Sequence, residues 1–497
     1  MLKKTIAVLL ALLFAVSILA SCGKNGGGKT EPTETAAGTG SETKNEEADM
    51  IDTYVKGLAG DYDVSGKTFT YIGPSNGNFP TEDKETGDIL SDAVYYRQRD
   101  LVEIFGIDWD PVQTTGGEET KDSVIEEVLA GGSEYDLVCG GMLTCGQALL
   151  NAGVLQTVND LDHVDLGKEW WVSTMEKTFS VDGKLFFLFG PIVPYTYYDT
   201  QVTLFNKSLT KMFGISDDDL YGSVKAGEWT FDELERFAKE IPEVTSPTTG
   251  VFRYVHPVGV PFLFAAGMTI TKFDEDGLPY VDDVLPLELS DLSDRLVGTF
   301  GDDSQCAYLA SGEEAMKKFG VEQLEQLFNS NRALFFFADT GDVSYMRNNS
   351  VEFGILPMPK ASTAQKEYRS YSNPWVGTAV YLPKNVKDKE MADLLTEAMA
   401  ALSQKYVKTA YYDKMLRSQA IFDLDSQDML EIIFSTKIYD MSVLYSNGSV
   451  NTWGPFLDCI DKSLSIDNST FASEYKANAR VANMNIKTLI KTVKSGG

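Results

Sequence analysis

Two short apolar runs stand close together near the middle of the chain. Leu185 to Phe189 is five apolar residues in a row, bounded by Gly183 and by Gly190-Pro191, and Val202 to Phe205 follows, closing on Asn206-Lys207. Runs this short between turn formers predict strands buried on both faces; a helix needs more length. Tyr135 to Cys139 (YDLVC) and Ala333 to Phe337 (ALFFF) read the same way. Lys67 to Ile72 alternates like a first strand, and Ile107 to Pro111, Val351 to Leu356 and Gly377 to Leu382 add more. Helical spacing fills the intervals, over Asp88 to Phe105, Lys121 to Ala130, Gly227 to Ile241, a pair within Ser311 to Phe328, and Lys389 to Ser403. Beyond Ser403 the pattern is mostly helical. Thr230 and Glu233 form a capping box at the head of an amphipathic stretch that Pro242 stops. Strands alternating with helices predict a parallel sheet with helices on its faces, and no internal repeat breaks the pattern.

The break between the two central runs carries Pro191, Pro194, Tyr195, Tyr197 and Tyr198. A buried tyrosine needs a partner for its hydroxyl, whereas a tyrosine lining a cleft meets solvent or ligand. This stretch therefore reads as a crossing from one lobe to another with a ligand site beside it, or as a sheet followed by an aromatic loop. A length of 497 residues suits two domains.

Charge narrows the partners. Lys and Arg total 43 against 73 Asp and Glu, a formal charge of −30. Phosphate recognition needs clustered cations, so nucleic acid is excluded as a partner, and composition offers no basic patch for anionic lipid. The first 21 residues form a separate object: Lys3 and Lys4 precede an apolar stretch from Ile6 to Leu19, and Leu19-Ala20-Ser21 precede Cys22. This is a secretory signal, too short for a retained membrane span. Gly23 to Met50 holds six glycines and no aromatic residue, so it reads as a linker, a coil with a span on the order of 30 Å. Cys139, Cys145, Cys306 and Cys459 match neither a zinc knuckle nor a redox motif; an extracellular compartment permits disulfides, and buried thiols are expected.

Catalytic patterns are sparse. His163 and His256 are the only histidines, which leaves no HExxH and no G-x-S-x-G elbow with a spare histidine, and no G-x-G-x-x-G is present. No cofactor is implied. Carboxylates are abundant, so a two-carboxylate glycosidase is not excluded by residue types.

Several segments, in order, resemble the extracellular solute-binding proteins of ABC importers, of the family 1 type that mostly carries sugars. Tyr135-Asp136-Leu137-Val138 resembles the family's YDLV strand, and Leu155 to Leu161 the turn after it. Asp182-Gly183-Lys184-Leu185 resembles dGKlY, with Phe186 in the usual tyrosine place, and Leu204-Phe205-Asn206-Lys207 resembles lyNK. Gly227 to Glu233 (GEWTFDE) resembles gtWTwdE; Asn331-Arg332-Ala333, Phe353 to Pro359 (FGILPMP) and Leu382-Pro383-Lys384 resemble later motifs. The residues before Cys22 resemble a lipobox, which implies a lipid on Cys22 and a place on the outer face of the cell membrane.

The resemblance implies an α/β, two-lobed periplasmic-binding-protein-like fold of type II, with the ligand cleft between the lobes. Residues 51–192 with about 353–403 would form lobe 1, and 193–352 with about 404–497 lobe 2. The crossings would fall in 190–201 and near 349–353. It implies a non-enzymatic monomer that binds a small ligand, an oligosaccharide by the family's habit, and hands it to permease subunits. A surface glycoside hydrolase and a receptor for a non-sugar solute are the alternatives. Candidate ligand residues are Tyr195, Tyr197, Asp339, Asp342, Trp375 and Trp453, with Ser75, Asn76 and Gly140 after strand ends. The family often shows Gly-Pro-Trp where this chain has Ala338-Asp339-Thr340-Gly341-Asp342, so carboxylates stand in the place of an aromatic platform.

Overall fold

The computed structural model describes residues 39–75, 84–172, 174–257, 259–301, 305–308, 312–346, 351–374, 376–416, 424–444, 460 and 470–495. Cys22, Asn76, Trp375, Trp453, Cys459 and the stretch expected to be a secretory signal lie outside them. Contacts separate residues 1–48 from a unit spanning 49–497. A helix, Thr39–Asp61, already begins where composition reads as coil. The linker's last glycine is Gly40, and the Glu, Lys and Ala residues that follow favour a helix.

The first lobe is built on a four-stranded sheet. Strands β1 (Thr68–Pro74), β2 (Asp108–Thr114) and β3 (Leu137–Gly141) run parallel, with β1 in the middle. The helices between them form because their ends are satisfied. Asp88 accepts from the amides of Leu90 and Ser91 at the head of Ile89–Phe105, and Gly106, at φ 64, turns the chain out of it into β2.

The second sheet begins with β4 (Gln201–Asn206) and β5 (Phe252–Val255). Beyond β5 lie the hairpin strands β6 (Lys272–Phe273) and β7 (Pro279–Tyr280), then β8 (Cys306–Ala307) and β9 (Ala333–Asp339). Strand β10 (Phe353–Leu356) completes this sheet in the order β10-β4-β9-β5-β8. Every residue of β4 is buried, and so is β9 up to Ala338, which is why both read as unbroken apolar runs.

Three smaller strands finish the set: β11 (Ser370–Tyr371), β12 (Thr378–Tyr381) and β13 (Lys437–Ile438). β12 returns to the first sheet, antiparallel to β3, and β11 pairs with β13. Cys139, Cys145 and Cys306 are buried thiols without a disulfide, as the sequence suggests.

Four readings change. Leu185 to Phe189 is buried as expected, yet it pairs at one position, Leu188 with Val380, because Leu185 and Phe189 turn their amides to the Asn159 side chain and the Met175 sulfur. Strand β10 joins the second sheet, antiparallel to β4, so the second crossing falls between Tyr371 and Thr378 and not near 349–353. Hydrophobicity says that Phe353–Leu356 is buried but not against which sheet. The helix Thr409–Leu416 packs on Ile89–Phe105 of lobe 1, although the sequence places residues after 404 in lobe 2. The capping box is half formed: the Thr230 hydroxyl accepts from the Glu233 amide at 3.4 Å, while the Glu233 carboxylate pairs with Arg236.

Beside that cap, Trp229 is fully buried and donates its indole N–H to Pro357 O at 2.9 Å. Trp229→Ala should cost about 3–5 kcal/mol of stability. Thr230→Ala should cost about 1 kcal/mol. Urea unfolding monitored by circular dichroism checks both; equal losses would show that the indole is not a core anchor.

Candidate functional site

Three stretches of chain meet where the lobes join. The first crossing ends at Thr200, which bridges Ser372 of the second crossing. Asp199 lies between them, 2% exposed. Its Oδ2 accepts from the Ser372 hydroxyl at 2.7 Å, and its backbone carbonyl accepts from the Asn373 amide at 2.6 Å. Its Oδ1 pairs with Lys437 on β13, whose ammonium also donates to Thr196 O at 2.8 Å. Burial works against the Lys437 charge, but Asp199 and Tyr439 together outweigh it, so the ammonium is held above its ordinary pKa.

Pro194 starts a single 3-10 turn, Pro194–Tyr197, because its fixed φ suits a first helical position. The turn points its tyrosines in different directions. Tyr197 stacks on Tyr411 (centroids 4.9 Å apart, planes 18° apart) and meets Phe434 edge-on at 6.2 Å. It also lines a cavity of about 370 Å³ with Trp171, Tyr412, Phe434 and Lys437. Tyr195 is half-buried and meets Tyr198 edge-on at 5.1 Å.

Asp339 ends β9 opposite Gln201 of β4. The Gln201 amide donates to its Oδ1, and Asn373 Nδ2 donates to Oδ2 at 2.8 Å. Its own amide donates to Asp342 Oδ2 at 2.9 Å. Burial, and then the charge of Asp342, push the Asp339 carboxyl up to about 7 despite its two amide donors. Asp342 is also raised, by burial, against the pull of the Asp339 amide and His256. His256, at φ 56 just past β5, faces this wall. Gly341 packs closely on the first crossing: a Cβ there would lie 3.1 Å from Tyr198 O, so that carbonyl would have to give by a few tenths of an ångström. Thr340 completes the junction, its hydroxyl donating to Tyr197 O at 2.7 Å.

The candidates therefore separate. Asp339, Asp342 and the backbone of Tyr197 and Tyr198 come together at the hinge, with Tyr195 beside them. Ser75 is exposed at the end of β1, its amide donating to Thr114 O at 2.8 Å. Gly140 is not in a loop after a strand: it pairs with Ala379 inside the sheet, and a Cβ there would meet Cys145 Sγ at 2.5 Å. Its lack of a side chain serves packing. Gln201, Asn373, Ser372 and Lys437 were not singled out. Gln201 is the one polar residue opening an apolar strand and could have been noticed; the other three acquire meaning only through partners far along the chain.

The model of the bacterial extracellular solute-binding protein family matches residues 106–403. The chain belongs to that family. Solved structures show the same two-lobed fold. The ABC substrate-binding protein Lmo0181 of Listeria monocytogenes, in complex with cycloalternan, is 14% identical, covering 85% of this chain and 100% of its own, with a TM-score of 0.53. RafE of Streptococcus pneumoniae is 14% identical, with coverage of 85% and 100% and a TM-score of 0.54. The GacH receptor of Streptomyces glaucescens, solved unliganded and with acarbose, is 13% identical, with coverage of 85% and 98% and a TM-score of 0.51. No curated protein matches the chain.

In this solute-binding protein the junction between lobes rests on a buried ion pair. Asp199→Asn, which leaves Lys437 buried without its counter-charge, should cost about 3–5 kcal/mol. Adding Lys437→Met should restore part of that loss. A double-mutant cycle from urea unfolding measures the coupling, and additive losses would show that the two charges act independently.

Proposed function

We propose that this chain is a carbohydrate receptor that closes on an oligosaccharide between its lobes and delivers it to the permease subunits of an ABC importer. The observation that carries the reading is the polar wall at the hinge, where Asp339 is held by Gln201 and Asn373; the half-buried ring of Tyr195 lies in the adjoining first crossing, against Tyr198. A sugar presents hydroxyl donors for such a carboxylate and an apolar face for such a ring. The family supplies the two lobes, and relatives solved with cycloalternan and acarbose support the ligand class. Closure follows from population shift: a ligand touching both lobes favours whichever arrangement lets it touch both. Trp375 and Trp453 remain candidates for a further stacking face.

The reading is of a monomeric binding protein without catalysis. A glycosidase needs two carboxyls facing one bond across about 5–9.5 Å. Here Asp342 accepts the amide of Asp339, its neighbour in the same turn, which favours a wall over an acid–base pair. The protein would work at the outer face of the cell membrane, held by a lipid on Cys22.

A thermal-shift panel of cycloalternan, acarbose and maltotriose, with a peptide mixture and spermidine alongside, tests the ligand class. A raised melting temperature with a sugar is expected. A response to peptide or spermidine alone would remove the sugar and keep the receptor, whereas release of reducing ends from a glycan would remove the binding-only reading.

The wall also predicts a pH dependence. A carboxyl raised to about 7 accepts hydroxyl donors best once ionised, so affinity should rise from pH 5.5 to 8 with a midpoint near 7. The sign for stability is opposite. The native chain keeps this proton where the unfolded chain has lost it, so unliganded stability falls as pH climbs from the ordinary carboxylate range through about 7. Asp339→Ala should weaken binding by roughly 10- to 100-fold, the worth of a charged hydrogen bond. Asp339→Asn should flatten the pH profile, and a profile unchanged by that substitution would assign the midpoint to another group. Calorimetric titration reads both.

A further inference from the structure

The C-terminal helix, Phe471–Lys494, spans about 36 Å at 1.5 Å per residue. Its two ends are fastened to different lobes. Tyr475, near its start, is buried beside Leu263 and Leu289 of lobe 2. Midway, Asn483 docks on the chain just past β7 much as a strand residue would. Its Nδ2 donates to Val281 O at 2.7 Å and to Asp283 Oδ1 at 3.0 Å, while its Oδ1 accepts from the Val281 amide at 2.9 Å. The far end meets lobe 1. Lys184 donates to Val493 O at 3.1 Å, satisfying one of the last helix carbonyls, and Lys494 pairs with Asp182 at 3.4 Å. Both lobe 1 partners sit in a tight turn, with Asp182 at φ 53 and Gly183 at φ 72, which fixes where they point.

A second link runs the same way just after β13. The Asp440 carboxylate accepts from the Ile270 amide at 2.9 Å and the Thr271 hydroxyl at 2.7 Å, both in lobe 2. The helix that follows, Met441–Leu444, lies against the turn Met142–Gly146 of lobe 1.

A rigid helix tied to both lobes cannot stay tied while the lobes rotate about the hinge. We propose that the C-terminal helix is a strap across the lobes, and that its lobe 1 end is a latch whose release sets how far they open. The two attachments are unequal. The lobe 2 side combines the three hydrogen bonds of Asn483 with buried Tyr475, whereas the lobe 1 end, where Leu489 and Val493 are buried, adds one hydrogen bond and an ion pair that is solvated, with side chains 49% and 37% exposed. An exposed pair of this kind is weak and screened by salt, which suits a contact that must open. The inference rests on the two lobes and not on the ligand, so it stands or falls separately from the carbohydrate reading.

The test needs no ligand. The full chain, with Cys22→Ser and Cys459→Ser, is spin-labelled at Glu126→Cys in lobe 1 and Met316→Cys in lobe 2, both exposed. Electron–electron resonance then reads the distance between lobes. The unaltered strap should give one narrow distribution. Asp182→Asn, Lys184→Met and Lys494→Ser together should add a second population, and about 0.5 M NaCl should move the unaltered chain in the same direction. Asn483→Leu, which cuts the other end, should do likewise. If Asn483→Leu does not fold, the surface latch variant and the salt series decide alone. A distribution unchanged by the latch variant, with its melting curve intact, overturns the proposal.

Discussion

The lobes of this protein are joined around one buried carboxylate. Asp199 has to be compensated because an isolated charge away from water is strongly disfavoured. Its compensation comes from Ser372, Asn373 and Lys437, which lie 173 to 238 residues further along the chain. The demand for charge balance therefore fixes three separate stretches against each other at the point where the molecule has to bend. An apolar contact at the same place would be less selective, since one packed arrangement can slide into another. Fixed donors around a charge allow few arrangements, which suits a hinge with discrete states.

A second buried charge serves the same end from lobe 1. Arg97, fully buried on Ile89–Phe105, donates to Ile192 O of the first crossing and to the Ser403 hydroxyl at 3.0 Å. Burial lowers its guanidinium to about 10. Its Nε and Nη2 have no partner among the described residues. Such a group is costly to bury, and the two hydrogen bonds it does make tie the first crossing and the end of the helix Lys389–Ser403 to the helix that carries it. The aromatic cluster of Tyr197, Tyr411 and Phe434 then fills the space between, so the hinge has a polar pin at each end and an apolar packing between them.

The sequence made the strands legible because burial on both faces leaves a mark that is local: Tyr135 to Cys139, Val202 to Phe205 and Ala333 to Phe337 needed only their own residue types to be read. The cap at Thr230 was legible for the same reason, since its donor lies three residues away. What stayed hidden depends on distance along the chain. Phe353–Leu356 is as apolar as any strand, and nothing in four apolar residues says which sheet they join. Leu185 to Phe189 looked like a strand because its burial is real, but its amides found Asn159 and Met175, a competition that hydrophobicity does not register. Asp339 and Asp342 could be placed on the wall through the family resemblance, whereas Gln201 and Asn373, which hold Asp339, look like ordinary polar residues until the fold brings them to it. Gly140 was misread because a glycine after an apolar run suggests a loop, and here the absent side chain makes room for the Cys145 sulfur inside the sheet.

Asn373 is one of the residues that join the polar wall at Asp339 to the hinge. Asn373 gives its backbone amide to the carbonyl of Asp199 and its side-chain amide to the carboxylate of Asp339. It lies on the second crossing, which has to move when the lobes rotate. Asp339 therefore reaches the hinge without a long relay. Its charge state sets how strongly it holds the Asn373 side chain, and the position of Asn373 is the position of the crossing itself. On the proposed reading, a ligand hydroxyl arriving at Asp339 competes with or reinforces that same hydrogen bond, so its energy is expressed where the chain bends. Coupling of this kind needs an element that both sites bias, and the second crossing is placed to be one. The replacement of an aromatic platform by a carboxylate is then more than a change of grip. A stacking ring would leave the hinge alone, whereas the Asp339 carboxylate holds Asn373, and with it the crossing, through one oxygen and is braced at the other by Gln201.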